Sequence, residues 1–517
     1  MQPPHADDRQ IFMLGITNLT DDDQTAPILE ICRILHSRGH AIHFACLEGW
    51  QKLAEPYPFI AKVHIVGRDL TPEEDRELYE TFEASGIDTH KQRLAWFQGL
   101  SLFAKWYPEV FQNVRALCEA NRPDFIFADG LDDACIDVAR ELRLPAAAMF
   151  PQMHPAVAPA PYVPGLPGYQ HRHLTSEHAS LVDRMREEIL RMQMLYAARG
   201  SFSTNAAMRR DAGIVATSVN QTSKPDHIHF VHSFFGLEMP KDLPLMVRLV
   251  GPVLSDTFAP VPSDSALAKF LDRFQDGKIM YVAFGTHVNT DSSRLRRLLD
   301  GIRGAISAGL IDAVIWSTKT IDPSIEEDWM FQDSWIPQRA VLEHPSVCLF
   351  LTHCGGSSTM EAAFHGVPAI AMGIYGDQLG HAKRLEAAGV AIRLDKNTFT
   401  PRELQQAIAT IVTDTRGSFA RNVLRLRRIA YANAEKKYFA AQMIEEVMYD
   451  HKLRFEQHEH PQKCTNVLPG RELRPPHLAT ADMRIRSWWK RTNLDLCLLF
   501  PVFLPYLILS SLIRGKK

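Results

Sequence analysis

Val347-Cys-Leu-Phe-Leu-Thr-His-Cys-Gly-Gly-Ser-Ser-Thr-Met-Glu361 is the stretch that decides how this chain folds. Its first six residues are an apolar run that reads as a buried strand. A Gly-Gly turn follows, and a helix is expected from about Ser357. Strand, glycine turn and helix together make one unit of a parallel α/β sheet. They also make an anion site. Glycines let the backbone approach a phosphate without Cβ clashes. The exposed N–H groups and the helix dipole favour negative charge there. Ser357, Ser358 and Thr359 add hydroxyl donors, and His353 adds an imidazole.

Working outward, the same alternation recurs on both sides. Residues 11–15 form a short apolar run, read as a first strand. A helix follows, with Pro27 expected in its first turn and Ile28, Ile31, Cys32 and Leu35 at helical spacing. Gly39 suits its stop, and 41–47 reads as the next strand. The pattern is mostly helical over 71–121. Residues 124–128 read as a strand ending at Asp129-Gly130, and 145–150 as another. Residues 151–168, rich in proline and aromatics, are expected to lie as a loop over a pocket, and 176–210 is helical. A linker is read at 251–265. After it come strands at 278–284, 313–316, 347–352 and 368–372, with helices at 294–307 and 358–364. This predicts two α/β domains, 1–250 and 266–450.

The chain has 517 residues, 46% hydrophobic and 23% charged, which suits two or three globular domains. A formal net charge of -3, without long runs of one sign, argues against a nucleic-acid partner. Eight cysteines lack any C-x-x-C pair, so a structural zinc or a disulfide framework is not expected. The N-terminus shows no signal-peptide pattern. At the other end, 451–493 reads as a polar and basic tether. Residues 494–513 read as a membrane segment, with Trp488, Trp489, Lys490 and Arg491 before it and Arg514, Lys516 and Lys517 after it. Pro501 and Pro505 leave a shallow re-entrant course open. These features predict a membrane-held protein with a cytosolic body, and the final Lys-Lys hints at the endoplasmic reticulum.

Trp335-Ile-Pro-Gln338, His344-Pro345, the glycine turn, Glu361, Gly366-Val-Pro368 and Asp377-Gln378 follow one another in an order and spacing that resemble the signature of the UDP-glycosyltransferase family. Ala283-Phe-Gly-Thr286 resembles that family's turn opening the C-terminal domain. Ala160-Pro-Tyr-Val-Pro164 and the apolar tail resemble its membrane-tailed eukaryotic, fungal-like branch. The resemblance implies the GT-B fold, two Rossmann-like domains facing across a cleft, and transfer of a hexose with inversion. Trp335 would stack on the uracil, Gln338 would bond near base and ribose, and Glu361 would accept from the ribose hydroxyls. His353, Gly355, Ser357, Ser358 and Thr286 would hold the diphosphate, and Asp377 and Gln378 the sugar. No metal or cofactor is implied, with the UDP-sugar as co-substrate.

The departures are at the base. The family carries Gly-His ahead of the proline that opens the first helix. Matching Pro27 to that proline puts Gln24 at the histidine and Asp23 at the glycine. Glutamine is no base near neutral pH. Asp129, at a strand's C-terminal end, matches the family's partner aspartate and becomes the candidate base, with Gln24 or Asp23 beside it. His154 is the candidate acceptor contact. The expected acceptor is a lipophilic small molecule, a sterol, terpenoid or polyketide, and the expected donor is UDP-glucose. A non-catalytic UDP-binding protein and a UDP-sugar 2-epimerase are the alternatives.

Overall fold

The computed structural model describes residues 10–13, 22–87, 89–102, 105–153, 158, 160, 162, 163, 165, 173–214, 226–285, 292–318, 327–456, 468–485 and 487–514. Thirteen strands are found among them. The first seven are β1 (Gln10–Met13), β2 (Ala41–Leu47), β3 (Ile60–Gly67), β4 (Ile126–Asp129), β5 (Ala146–Phe150), β6 (His227–Val231) and β7 (Val247–Leu249). They form one parallel sheet in the order β3-β2-β1-β4-β5-β6-β7. The other six are β8 (Ile279–Ala283), β9 (Ala313–Ser317), β10 (Met330–Asp333), β11 (Val347–Thr352), β12 (Ala369–Ala371) and β13 (Ala391–Arg393). They form a second parallel sheet, β10-β9-β8-β11-β12-β13. In both sheets the strand order reverses beside the first strand of the domain, at β1/β4 and at β8/β11. Ligands of open α/β sheets bind outside the C-terminal strand ends at such switch points.

The strands read as continuous apolar runs because helices cover both faces of each sheet. In the first domain, one face packs Phe44, Phe127 and Phe230 against Ile28, Ile31 and Leu35 of helix Asp22–Ser37. The other face packs Ala128 and Ala148 against Val110 and Phe111 of helix Tyr107–Asn121. Helix Asp22–Ser37 starts earlier than expected, so Pro27 lies inside it rather than in its first turn. The proline forfeits only the bond to the carbonyl four residues back, near the helix start.

Two elements cross between the domains. Helix Pro72–Glu83 is held by a capping box at Thr71 and Glu74, and it buries Leu78 and Phe82 in the core of the second domain. Phe82 stacks on Tyr375 with ring centroids 5.5 Å apart. In the opposite direction, helix Lys436–Arg454 buries Ala440, Ile444 and Val447 in the first domain's core.

The C-terminal segment, read as a membrane segment with a spanning or re-entrant course left open, is helical over Leu494–Arg514. Among the described residues no helix is long and apolar enough to cross a membrane. Asp495 sits in this helix's first turn, and Pro501 and Pro505 interrupt its backbone bonding. Leu496, Leu498, Leu499, Phe500 and Phe503 are exposed along it.

Candidate active site

Strand β11 ends at Thr352, at the switch point of the second sheet. Cys354 takes the left-handed conformation, φ 64°, which costs a non-glycine residue roughly 1–3 kcal/mol. The Thr352 hydroxyl accepts from the Cys354 N–H at 3.0 Å and holds the turn. Gly355 caps helix Gly356–His365 without a side-chain hydrogen bond, and a helix N-terminus favours an anion. Ser357 is half-buried and Ser358 is buried at this end.

His353 is buried beside the turn, next to the end of β8. Gly285 there has φ +74°, and a Cβ on it would stand 2.8 Å from His353 Nε2. Only glycine satisfies both the backbone conformation and this close approach.

Gln338 opens the short helix Gln338–Glu343. Its amide nitrogen donates to Glu361 Oε2 at 2.7 Å and to Ser358 Oγ at 3.1 Å. Its carbonyl oxygen accepts from the Tyr281 hydroxyl at 3.2 Å. Burial raises the Glu361 carboxyl above its usual range, against the opposing effects of the Gln338 bond and Arg339. Trp335 is 69% exposed two residues after β10, with ring surface available to a flat ligand.

Asp377 and Gln378 begin helix Asp377–Ala387, after the loop that leaves β12. Gln378 Oε1 accepts from the Ile374 and Tyr375 N–H groups at 3.1 and 3.2 Å. Its acceptor is therefore engaged locally, and its amide nitrogen is what it can offer a hydroxyl. Gly356 joins the two parts of the site. A Cβ there would lie 3.9 Å from Asp377 Oδ2 and 3.3 Å from Pro151 Cβ, so β5's following loop abuts the glycine turn.

On the first sheet, Asp129 ends β4 at the switch point and is 3% exposed. Its Oδ1 accepts from the Leu131 N–H at 2.8 Å. Burial raises its pKa to about 8; the Leu131 bond opposes this, and the Asp132 and Asp377 charges add to it. Asp377 acts on it from the other domain, so the two carboxylates lie near each other across the domain boundary. Asp132 caps helix Asp133–Glu141 through the Cys135 N–H, and burial raises its pKa to about 7.

Thr286 and His154 lie outside the described residues, as do the side chains of Asp23 and Gln24. Of the remaining candidates, Gln338, Ser358 and Glu361 are joined by hydrogen bonds at the second sheet's switch point, Asp129 ends β4 at the first, and Trp335 stands after the edge strand β10. Sequence reasoning missed Tyr281, whose hydroxyl fixes Gln338, and Asp132. Tyr281 carried a usable signal, a lone polar-tipped residue within an apolar strand.

Two parallel α/β sheets, with the Gly355-Gly356 turn at one switch point and Asp129 at the other, fit the architecture of the two-domain GT-B fold. The chain belongs to the UDP-glucoronosyl and UDP-glucosyl transferase family, whose model matches residues 24–452. It is 48% identical to the UDP-glycosyltransferase stmC of Aspergillus ustus over 91% of both chains. It is 47% identical to a UDP-glycosyltransferase of Talaromyces amestolkiae over 92% of both. Among solved structures, Medicago truncatula UGT71G1 complexed with UDP-glucose superposes with TM-score 0.58 at 16% identity, over 85% of this chain and 98% of that one. The protein is thus an enzyme that takes its sugar from a UDP-sugar.

Proposed function

We propose that the enzyme moves glucose from UDP-glucose onto a hydroxyl or carboxyl of a lipophilic small molecule, inverting the anomeric carbon, with Asp129 as the base. The observation that carries this reading is the Asp129 carboxyl, buried at a strand end and raised to about 8 opposite Asp377. A general base works best when its pKa lies near the operating pH. Burial gives this carboxylate the basicity that an imidazole would have, which answers the lack of histidine at position 24. It also weighs against the non-catalytic alternative.

In the reaction, Asp129 takes the acceptor's proton as the acceptor oxygen attacks the anomeric carbon. The bond to the diphosphate breaks, and UDP leaves with the electron pair. Its charge is taken up by the N–H groups at Gly355–Ser358 and by His353. No metal enters this scheme, and activity is expected to persist in EDTA. Glucose is favoured by the likeness to a structure holding UDP-glucose and by Gln378, whose resemblance is to glucose-using members. The test is UDP release from a panel of UDP-sugars with sterol, terpenoid and polyketide acceptors, with the product's anomeric configuration read by NMR. Asp129→Asn should lower kcat/KM by about 100-fold or more with a hydroxyl acceptor. Turnover that survives this change, or UDP release without an acceptor-linked product, rejects the reading.

We also propose that helix Leu494–Arg514 holds the protein on a membrane, with the body on the cytosolic side, the endoplasmic reticulum being the candidate membrane. Its exposed leucines and phenylalanines, preceded by the exposed Trp488 and Trp489 and by Lys490 and Arg491, support this. The full chain should float with liposomes, and Leu499→Asp with Phe503→Asp should leave it at the bottom of the gradient.

A further inference from the structure

Asp377, His381 and Arg384 stand at i, i+4 and i+7 of helix Asp377–Ala387, on one face. His381 is fully buried and Arg384 is 5% exposed. The Arg384 guanidinium is anchored in the other domain. Its Nη2 donates to Gln152 Oε1 at 2.8 Å, and its Nε lies 3.4 Å from Glu238 Oε1. Gln152 follows β5, and Glu238 follows β6 and accepts from the Met153 N–H at 3.3 Å. The same Arg384 Nη2 lies 3.2 Å from His381 Nδ1.

A guanidinium can only donate. Nδ1 is therefore the acceptor in that contact, and the ring carries its proton on Nε2. Nε2 is buried and makes no well-formed hydrogen bond among the described residues, yet it lies 3.4 Å from Asp377 Oδ2. A short movement of the carboxylate completes that bond.

We propose that His381 is the positioning residue for the Asp377 carboxylate, and that Arg384 fixes the tautomer this requires. The chain from Gln152 and Glu238 through Arg384 and His381 makes the orientation of Asp377 depend on contact between the two domains. The donor's sugar is then gripped fully only when the acceptor domain is docked. The inference rests on the reading that Asp377 binds sugar hydroxyls.

Calorimetric titration of the full chain with UDP, and with UDP-glucose, UDP-galactose and UDP-N-acetylglucosamine, tests it. His381→Leu should leave UDP affinity within about twofold and weaken the best UDP-sugar about tenfold. His381→Gln, whose amide can donate from a similar position, should restore most of the loss. Unchanged UDP binding reports an intact fold. The proposal is overturned if His381→Leu weakens UDP and the UDP-sugar alike, which is a structural role, or weakens neither. Asp377→Asn separates the two levels. If it causes no selective loss of UDP-sugar, the reading of Asp377 itself fails. If it does while His381→Leu does not, the His381 step alone fails.

Discussion

Burial gives Asp129 its basicity, and it also sets a cost in stability. Its pKa is about 8 in the folded protein and roughly 3.9 in an unfolded chain. A raised carboxyl is protonated when folded while the unfolded chain is already ionised. The stability it contributes is present below about pH 4 and is lost as pH rises towards 8. Asp129→Asn removes that loss. Its melting temperature relative to wild type should climb between pH 4 and 8 and then level off; a constant difference would contradict the burial argument. The position of Asp129 was legible, since an apolar run ending in Asp-Gly marks a strand's C-terminal end. Its pKa was not, because desolvation comes from side chains brought over it by the fold. Gln378 teaches the same lesson. Its identity suggested a sugar contact, but the engagement of its carbonyl by Ile374 and Tyr375 depends on loop geometry.

Among the elements, the strand, turn and helix at 347–365 were readable almost to the residue, because an apolar run, two glycines and a hydroxyl cluster all favour the same local structure. Strand β2 was read with its exact bounds. Strands β7, β12 and β13, of three residues each, carry too little pattern to read with confidence from sequence, and only β12 was anticipated. Strand β6, His227–Val231, was missed because two buried histidines break its apolar run. Gly285 shows how one element constrains another. Gly285→Ala at the end of β8 should displace His353 and weaken UDP binding about tenfold or more, measured by calorimetry. Binding equal to wild type would remove His353 from the diphosphate site.

Across the whole molecule, the ties between distant segments were invisible in the sequence, since they join residues hundreds of positions apart. The buried Lys437 Nζ donates to Glu30 Oε1 at 2.8 Å, to the Leu254 carbonyl at 2.7 Å and to Asp256 Oδ1 at 2.6 Å. It thereby binds the first helix, the interdomain linker and the last helix of the folded body. Lys437→Ala removes these bonds, while Arg33 still donates to both Glu30 oxygens at 2.9 and 2.7 Å; it should destabilise the protein by about 1–3 kcal/mol in denaturant unfolding. A change below about 0.5 kcal/mol would show that the tie is dispensable. In the proposed reaction the base, Asp129, stands on one domain and the donor-binding residues stand on the other. The most direct measurement of that arrangement is the pH dependence of kcat/KM with UDP-glucose and an aliphatic alcohol acceptor. The rate should rise about tenfold per pH unit up to about pH 8 and then flatten, and Asp129→Asn should abolish that limb. A profile already flat from pH 6 to 9, or one that Asp129→Asn leaves in place, would contradict it.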